Sequence, residues 1–460
     1  MTGVLEDDLF AVAPEEALEE FTSALENAES VYIKKLSLND WQWSENPDAH
    51  QGGPYIPPHD RDSGFFPHLV EKVRAPGKKP IFETFFEIVW PQAGGEIKEA
   101  RLANYTSKGE ETHLTRLAKE PFQNISPASL LVVAKQRLAS GNVRFTALIA
   151  DSAGASAEYL KELFGIETDF LSGFFEPKVA VKESKERVLD YVEQAVIAWR
   201  TGTLKAFALD HAAIPSTAAM AAMAQAQYMN MHGLSSLNPF SLDCPGDAVM
   251  RISRDIENRL FRDFEMKSRS MQLVSIILGS ETGKMTVERA LRALITDFPL
   301  IDKVLLSAAQ QRKSRAGKSF ELHIARLLRD GGIPHEEQKV LESKKRPDFV
   351  LPSYRMYADN DRTHEQALVL SAKTTLRERW KQVHLEIKNC DLYLATVDEN
   401  IAASAIVEMG EAGIRVVVPE SLKTSKAAVY EHQENVISFK EFFTNDLGVR
   451  RMPLWSAGHI

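Results

Sequence analysis

The sequence predicts a multidomain α/β protein, with a β-rich N-terminal domain and a C-terminal domain built on a mixed sheet covered by helices. Its 460 residues exceed what one core usually holds and suit two or three domains. Between Val31 and Ile149 short apolar runs are punctuated by turn residues, the pattern of strands. In the last 150 residues or so, strand-like runs at 349–351, 367–372, 391–396 and 414–418 alternate with helical ones at 376–389 and 401–410. Such alternation implies a sheet that is at least partly parallel and packed on both faces.

In chain order, residues 1–28 read as a short acidic helical lead-in. VYIKKL (31–36) is a strand, and 81–90 is a mostly apolar one, with Phe82, Thr84, Phe86, Ile88 and Trp90 on one face. Ser126-Pro127 suits the N-cap and first turn of a helix, which places LLVVAKQ in that helix. RFTALIA (144–150) is a strand and 155–164 a helix, closing the domain near Phe175. Residues 176–184, EPKVAVKES, read as a linker. Helix follows, with Leu189, Val192, Val196 and Trp199 at steps of three and four; the Ala-, Met- and Ser-rich stretch 202–245 has no clear period. Helical spacing resumes at Val249, Ile252, Ile256 and Leu260 and returns at Phe320, Ile324, Leu327 and Leu328. The expected division is 1–175, a linker and helix at 176–200, and 201–460, the last with a helical part to about 306 and a core at 307–445. There are no internal repeats or low-complexity tracts.

Composition excludes several classes. Two cysteines, Cys244 and Cys390, far apart, argue against a disulfide framework and a thiolate zinc site. The start MTGVLEDDLF does not read as a signal peptide, and 217–230 is too short and polar to span a bilayer, so a cytoplasmic protein is expected. The net charge of −9 is not that of a nucleic-acid binder taken whole. Binding depends on local potential, however, and Arg312, Lys313, Arg315 and Lys318, then Lys344, Lys345 and Arg346, form basic clusters. Solvated surface patches would look the same.

The chemistry concentrates in 344–386. Asp348 opens one apolar run, Lys373 ends another, and Glu386 lies on the helix after it. Two carboxylates suit a hard divalent cation such as Mg²⁺, and a lysine suits the charge that grows on a phosphorane. Glu321, on the earlier helix, adds a third acid. Over a helical 376–389, Arg379, Gln382 and Glu386 share a stripe, and Arg379 and Glu386 stand roughly 10 Å apart along the axis. Arg377-Glu378-Arg379 suits the edges of adjacent G·C pairs, since arginine pairs with guanine O6 and N7 and glutamate accepts from cytosine N4. Each signal has a plain counterpart: a Pro-Asp turn, a rim lysine, a charged helix surface with i,i+4 pairs. Tyr357 has a rival reading as the nucleophile of a tyrosine recombinase, and a plain one as a tyrosine packed at the mouth of the sheet.

Together the runs RKSRAGKSFELH (312–323), KKRPDF (344–349), Tyr357, AKTTLRERW (372–380), Glu386 and GIRVVVPESL (413–422) resemble the catalytic domain of the EcoRII-type restriction endonucleases. VYIKKLSLND (31–40) and HQGGPYIP (50–57) resemble that family's N-terminal effector domain. The resemblance covers both ends of the chain and the middle, about 176–300, only loosely. It implies a DNA-binding pseudobarrel followed by a restriction-endonuclease-like α/β/α sandwich. It further implies a Mg²⁺-dependent type II endonuclease, dimeric through its catalytic domains, acting on double-stranded DNA with a separately encoded methyltransferase as functional partner. Asp348, Lys373 and Glu386 carry over as catalytic, with Glu321 and Tyr357 as lesser members and Asp348 and Glu386 as metal ligands. The position two before the lysine, usually acidic, is Ser371, and Glu386 supplies the missing acid.

The resemblance also assigns Arg377, Glu378 and Arg379 to a CC/GG core, with cleavage before the first C of a CCNGG-like site. The effector domain would bind a second copy of the site through Lys35, Asn39, His50, Tyr55, Lys108, His113 and Arg116, and would block the catalytic cleft until it does. SKGEETHLTR (107–116) is less basic than the family pattern, with His113 in an arginine's place. A DNA-binding protein with an inactive nuclease domain is the alternative, and Ser371 is its support.

Overall fold

The structure, a computed structural model, describes residues 15–46, 52–75, 77–109, 111–211, 213–279, 285–340, 346–376, 380 and 389–457. It divides into two compact units, residues 1–183 with 426–429, and 184–425 with 430–460.

The first unit is a nine-stranded sheet. Its strands are β1 (Ser30–Lys35), β2 (Tyr55–Ile56), β3 (Val70–Glu71), β4 (Ile81–Trp90), β5 (Glu96–Tyr105), β6 (Thr112–Thr115), β7 (Leu130–Arg137), β8 (Val143–Ala150) and β9 (Ser172–Phe175). The order is β2-β6-β5-β4-β8-β7-β1-β9, with β3 on β4. β4 and β8 run parallel and the other pairs antiparallel. The sheet curls, because the chain just after β1 reaches β2 from the far side of the strand order: the Tyr55 N–H donates to Asp40 Oδ1 at 2.7 Å. Strand alternation sorts two cores. Tyr32, Leu131, Val133 and Phe145 join one with Trp90 and Phe122. Val31, Ile33, Leu130, Val132 and Leu148 join the other, covered by Phe21 and Leu25 of the helix Glu15–Asn27 and by Ala157 and Leu160 of the helix Ala155–Phe164.

Two sequence expectations fail here. LLVVAKQ is strand β7, not helix. It lies between β8 and β1 and buries both faces, so its apolar residues run without a gap, a pattern that period alone cannot assign. Residues 177–184 are not linker but the opening turns of the helix Pro177–Arg200. Pro177 at the first helical position needs no amide partner.

The second unit is α/β. Its six strands are β10 (Glu336–Glu337), β11 (Phe349–Leu351), β12 (Leu368–Lys373), β13 (Asp391–Thr396), β14 (Ile414–Val418) and β15 (Val436–Ser438), in sequence order across the sheet. β10 to β12 pair antiparallel and β12 to β15 parallel. The sheet is therefore mixed, and its central strands are buried on both faces, as their near-continuous apolar sequences require. The stretch 202–245 contains helices Leu204–His211 and Thr217–His232, the second capped by Ser216, whose side chain accepts the Ala219 N–H. A 33-residue helix, Phe298–Asp330, buries Phe320, Ile324, Leu327 and Leu328. Among the described residues no helix is long and apolar enough to cross a membrane.

Candidate functional site

The antiparallel pairing of β11 with β12 sets Phe349 opposite Leu370, and so carries Asp348, just before β11, to the end of β12. There Asp348 Oδ2 accepts two hydrogen bonds, from the Ala372 N–H at 2.7 Å and from Lys373 Nζ at 2.8 Å. Asp348 is 6% exposed, whereas the Lys373 side chain is 30% exposed, so the pair sits at the rim of the buried sheet with its cation reaching solvent.

Two more elements close on Asp348. Gln338 follows β10 with a left-handed φ of 52°. Its N–H donates to the Asp348 carbonyl at 3.0 Å, and its own carbonyl accepts Arg346 Nε at 2.7 Å. The Gln338 side-chain amide donates to Asp348 Oδ1 at 3.1 Å and to Glu321 Oε2 at 3.0 Å. Glu321 projects from the long helix one turn beyond Lys318, whose Nζ lies 2.8 Å from the same Oε2. Burial chiefly, with the charge of Asp348 adding, raises the Glu321 carboxyl above the ordinary glutamate range, against the Lys318 hydrogen bond that lowers it. The structure thus gathers Glu321, Gln338 and Lys373 around Asp348.

Ser371 occupies the position two before Lys373, on the same side of β12, and is buried at 2% exposure. A hydroxyl there brings none of the negative charge that a carboxylate offers a hard cation. Tyr357 lies in the short helix Tyr354–Ala358 and is 5% exposed, with the Arg362 guanidinium 5.6 Å from its ring centre and the Tyr354 ring stacked at 6.3 Å. That enclosure makes it a poor nucleophile toward a phosphodiester. Glu386 and the triplet Arg377, Glu378 and Arg379 lie outside the described residues, as do Lys344 and Lys345. The residue before the triplet is anchored: the Leu376 N–H donates to Asp398 Oδ2 at 2.7 Å, and Asp398 is 2% exposed. Trp380, after the triplet, is buried.

Below the site, Glu257, Ser319 and His323 form a serine–histidine–acid cluster. His323 Nε2 is 2.8 Å from Glu257 Oε2 and 3.3 Å from Ser319 Oγ; Ser319 Oγ also donates to Glu257, and Gln225 Nε2 meets His323 Nδ1 at 3.0 Å. His323 is fully buried, so no substrate reaches it. The cluster binds three helices together and fixes the helical turn from which Lys318 and Glu321 project.

In the first unit, β2 pairs with β6 so that Tyr55 faces His113, their rings 5.9 Å apart. Asn39 is exposed on the short helix Leu38–Gln42, and Lys35 ends β1 with its Nζ donating to the Thr168 carbonyl at 2.9 Å. Asp40 organises this group: its carboxylate accepts Lys34 Nζ at 2.7 Å, the Ser37 N–H at 2.8 Å and the Tyr55 N–H. Arg116 has a positive φ, an ion pair with Glu99 at 3.1 Å and its guanidinium over the Phe85 ring. The backbone of Lys108 is in a turn of 3₁₀ helix, Thr106–Lys108, and His50 lies outside the described residues.

Sequence reasoning missed Gln338, Asp398 and Asp40. Asp40 had a legible signal, the Ser37-x-x-Asp40 pattern of a helix start. The other two act through partners distant in sequence and had none.

Residues 282–443 match the family model described as EcoRII C terminal. The chain is 41% identical over 118 residues to the type II restriction enzyme EcoRII of Escherichia coli, covering 25% of this chain and 29% of that enzyme. It is 31% identical over 225 residues to the type II restriction enzyme SsoII of Shigella sonnei, covering 46% of this chain and 71% of that one. Among solved structures, metal-depleted Ecl18kI in complex with uncleaved, modified DNA aligns over 56% of this chain and 84% of its own, at 25% identity and a TM-score of 0.44.

Proposed function

We propose, from the premise that this chain belongs to the family of type II restriction enzymes represented by EcoRII and SsoII, that it is a DNA endonuclease cutting both strands at a CC/GG-containing, CCNGG-like site and leaving 5′-phosphate ends. The observation that carries the reading is the Asp348–Lys373 pair, a carboxylate and a solvent-reaching ammonium held 2.8 Å apart at the end of a buried strand.

The residues present fit a divalent cation. Asp348 Oδ1 and Glu321 Oε2 are hard oxygen donors close enough to share one amide group, and they suit Mg²⁺. Asp348 and Glu386 are its proposed ligands, with Glu321 as a third acid able to join them and Tyr357 as a lesser member of the site. Bound there, the cation would polarise the phosphoryl oxygen and acidify a water. Lys373 stabilises the charge that grows on the phosphorane. Arg377, Glu378 and Arg379 read the G·C pairs, and the Asp398 anchor at Leu376 fixes where that segment leaves the sheet.

In the first unit, Lys35, Asn39, His50, Tyr55, Lys108, His113 and Arg116 would bind a second DNA site and so activate cleavage. The enzyme would act as a homodimer, in the cytoplasm, beside a protecting methyltransferase. An apolar surface supports self-association: Leu291 and Ile295 of the helix Val287–Thr296, and Phe298, Leu300, Leu305 and Leu306 after it, are exposed.

The test is a digest of long mixed-sequence DNA with Mg²⁺ and run-off sequencing of the ends, beside Lys373→Ala. Discrete ends at CC/GG sites, lost in the variant, are expected. Sequence-specific binding without cutting, even with added site-bearing oligonucleotides, would leave a DNA-binding protein with an inactive nuclease domain. Binding should also weaken steeply with salt, because each phosphate contact releases counterions.

A further inference from the structure

We infer that Gln338 is a metal-free latch on the active site: its side-chain amide holds Asp348 and Glu321 together and must swing away for a divalent cation to bind between them. The inference rests on the reading of Asp348 as a metal ligand.

Counting the bonds on Asp348 gives the reason. Its Oδ2 already accepts the Ala372 N–H at 2.7 Å and the Lys373 ammonium at 2.8 Å. The oxygen left for a cation is Oδ1, and the Gln338 amide covers it at 3.1 Å. The same nitrogen reaches Glu321 Oε2 at 3.0 Å, so one N–H₂ group bridges the two acids. A Mg²⁺ ion takes oxygen ligands at about 2.0–2.1 Å, so a cation joining these oxygens needs the space the nitrogen fills. An amide nitrogen has no lone pair to offer a cation, so it competes and does not ligate.

The backbone of Gln338 is built to stay while the side chain moves. Its N–H is bonded to the Asp348 carbonyl and its carbonyl to Arg346 Nε, at 3.0 and 2.7 Å. Release is then a side-chain rotation at a half-buried position, with no change of sheet register. Between cations the latch has a purpose, since its N–H₂ group lies between two carboxylates whose like charges repel.

The test is a calorimetric titration of the full chain with Mn²⁺ alone, without DNA, for the unaltered protein, Gln338→Ala, Gln338→Asn and Asp348→Ala. Asparagine tolerates the left-handed turn but is one methylene too short to bridge, so it tests the latch even where alanine disturbs the fold. Removing a hydrogen bond to a charged group should make both glutamine variants bind Mn²⁺ about tenfold more tightly. Unchanged or weaker binding in both, with binding still dependent on Asp348, would overturn the latch and leave the metal reading standing. Binding that survives Asp348→Ala at full strength would instead sink the reading of Asp348 as a ligand, and the latch with it.

Discussion

Each unit of this protein buries an aspartate against a lysine at nearly the same distance, 2.7 Å for Asp40–Lys34 and 2.8 Å for Asp348–Lys373. The surroundings differ. Lys34 and Asp40 are 9% and 1% exposed, and Asp40 spends both oxygens on backbone amides and the ammonium. Lys373 is 30% exposed, and Asp348 keeps one oxygen covered only by a movable side chain. The first pair ties a curled sheet together. In the proposed function, the second would exchange partners with a cation and a phosphate. What separates a structural ion pair from a chemical one is whether its atoms can be reached and its last lone pair released.

That contrast can be broken by experiment. Lys373→Ala should slow DNA cleavage by at least about 10²–10³-fold in single-turnover assays, with specific DNA binding retained. Cleavage within a few-fold of normal would place the chemistry elsewhere. Asp40→Ala should do the opposite kind of damage. It leaves Lys34 buried without its carboxylate, at a cost of about 3–5 kcal/mol read as a lower urea midpoint. Asp348→Ala should cost clearly less stability, because water can solvate Lys373; equal losses would erase the distinction.

A third, smaller effect concerns the cluster beneath the site. His323→Ala leaves Glu257, which is 4% exposed, without its ring partner, and should cost about 2–3 kcal/mol of stability. An unchanged midpoint would deny the cluster its role in fixing the helix. The smallest effect is on pH dependence. The folded carboxyl of Glu321 titrates above its unfolded value. The stability linked to it is complete below the ordinary glutamate pKa and is lost as pH rises through the raised one. Glu321→Gln should therefore flatten the stability–pH curve above about pH 4.3 and leave it unaltered below. A parallel curve at all pH values would mean that burial does not raise the Glu321 carboxyl.

Much of the second unit was legible in its sequence. The runs at 349–351, 391–396 and 414–418 form the strands they suggest, because strands buried on both faces must be apolar throughout. The same property misled at LLVVAKQ, where a continuous apolar run and an inviting Ser-Pro suggested a helix. Asp348 and Lys373 stood out as an acid and a lysine at strand ends, but the neighbour between Asp348 and Glu321 did not. Gln338 gains its place from a positive φ and from the pairing of β10 with β11, and neither is written in the local sequence. The Ser37-x-x-Asp40 pattern of a helix start lies in the local sequence, though it was missed, whereas the bond from Asp40 to the Tyr55 amide depends on the sheet curling.

The helix Phe298–Asp330 joins two features that were described apart. Its first part exposes Phe298, Leu305 and Leu306, and Glu321 lies fifteen residues beyond Leu306, roughly 22 Å along the axis. A helix of 33 residues is a stiff rod. Two chains gripping one another at the apolar end would hold their cutting centres at a distance set by that rod, so the helix would act as a ruler for the stagger between the two nicks.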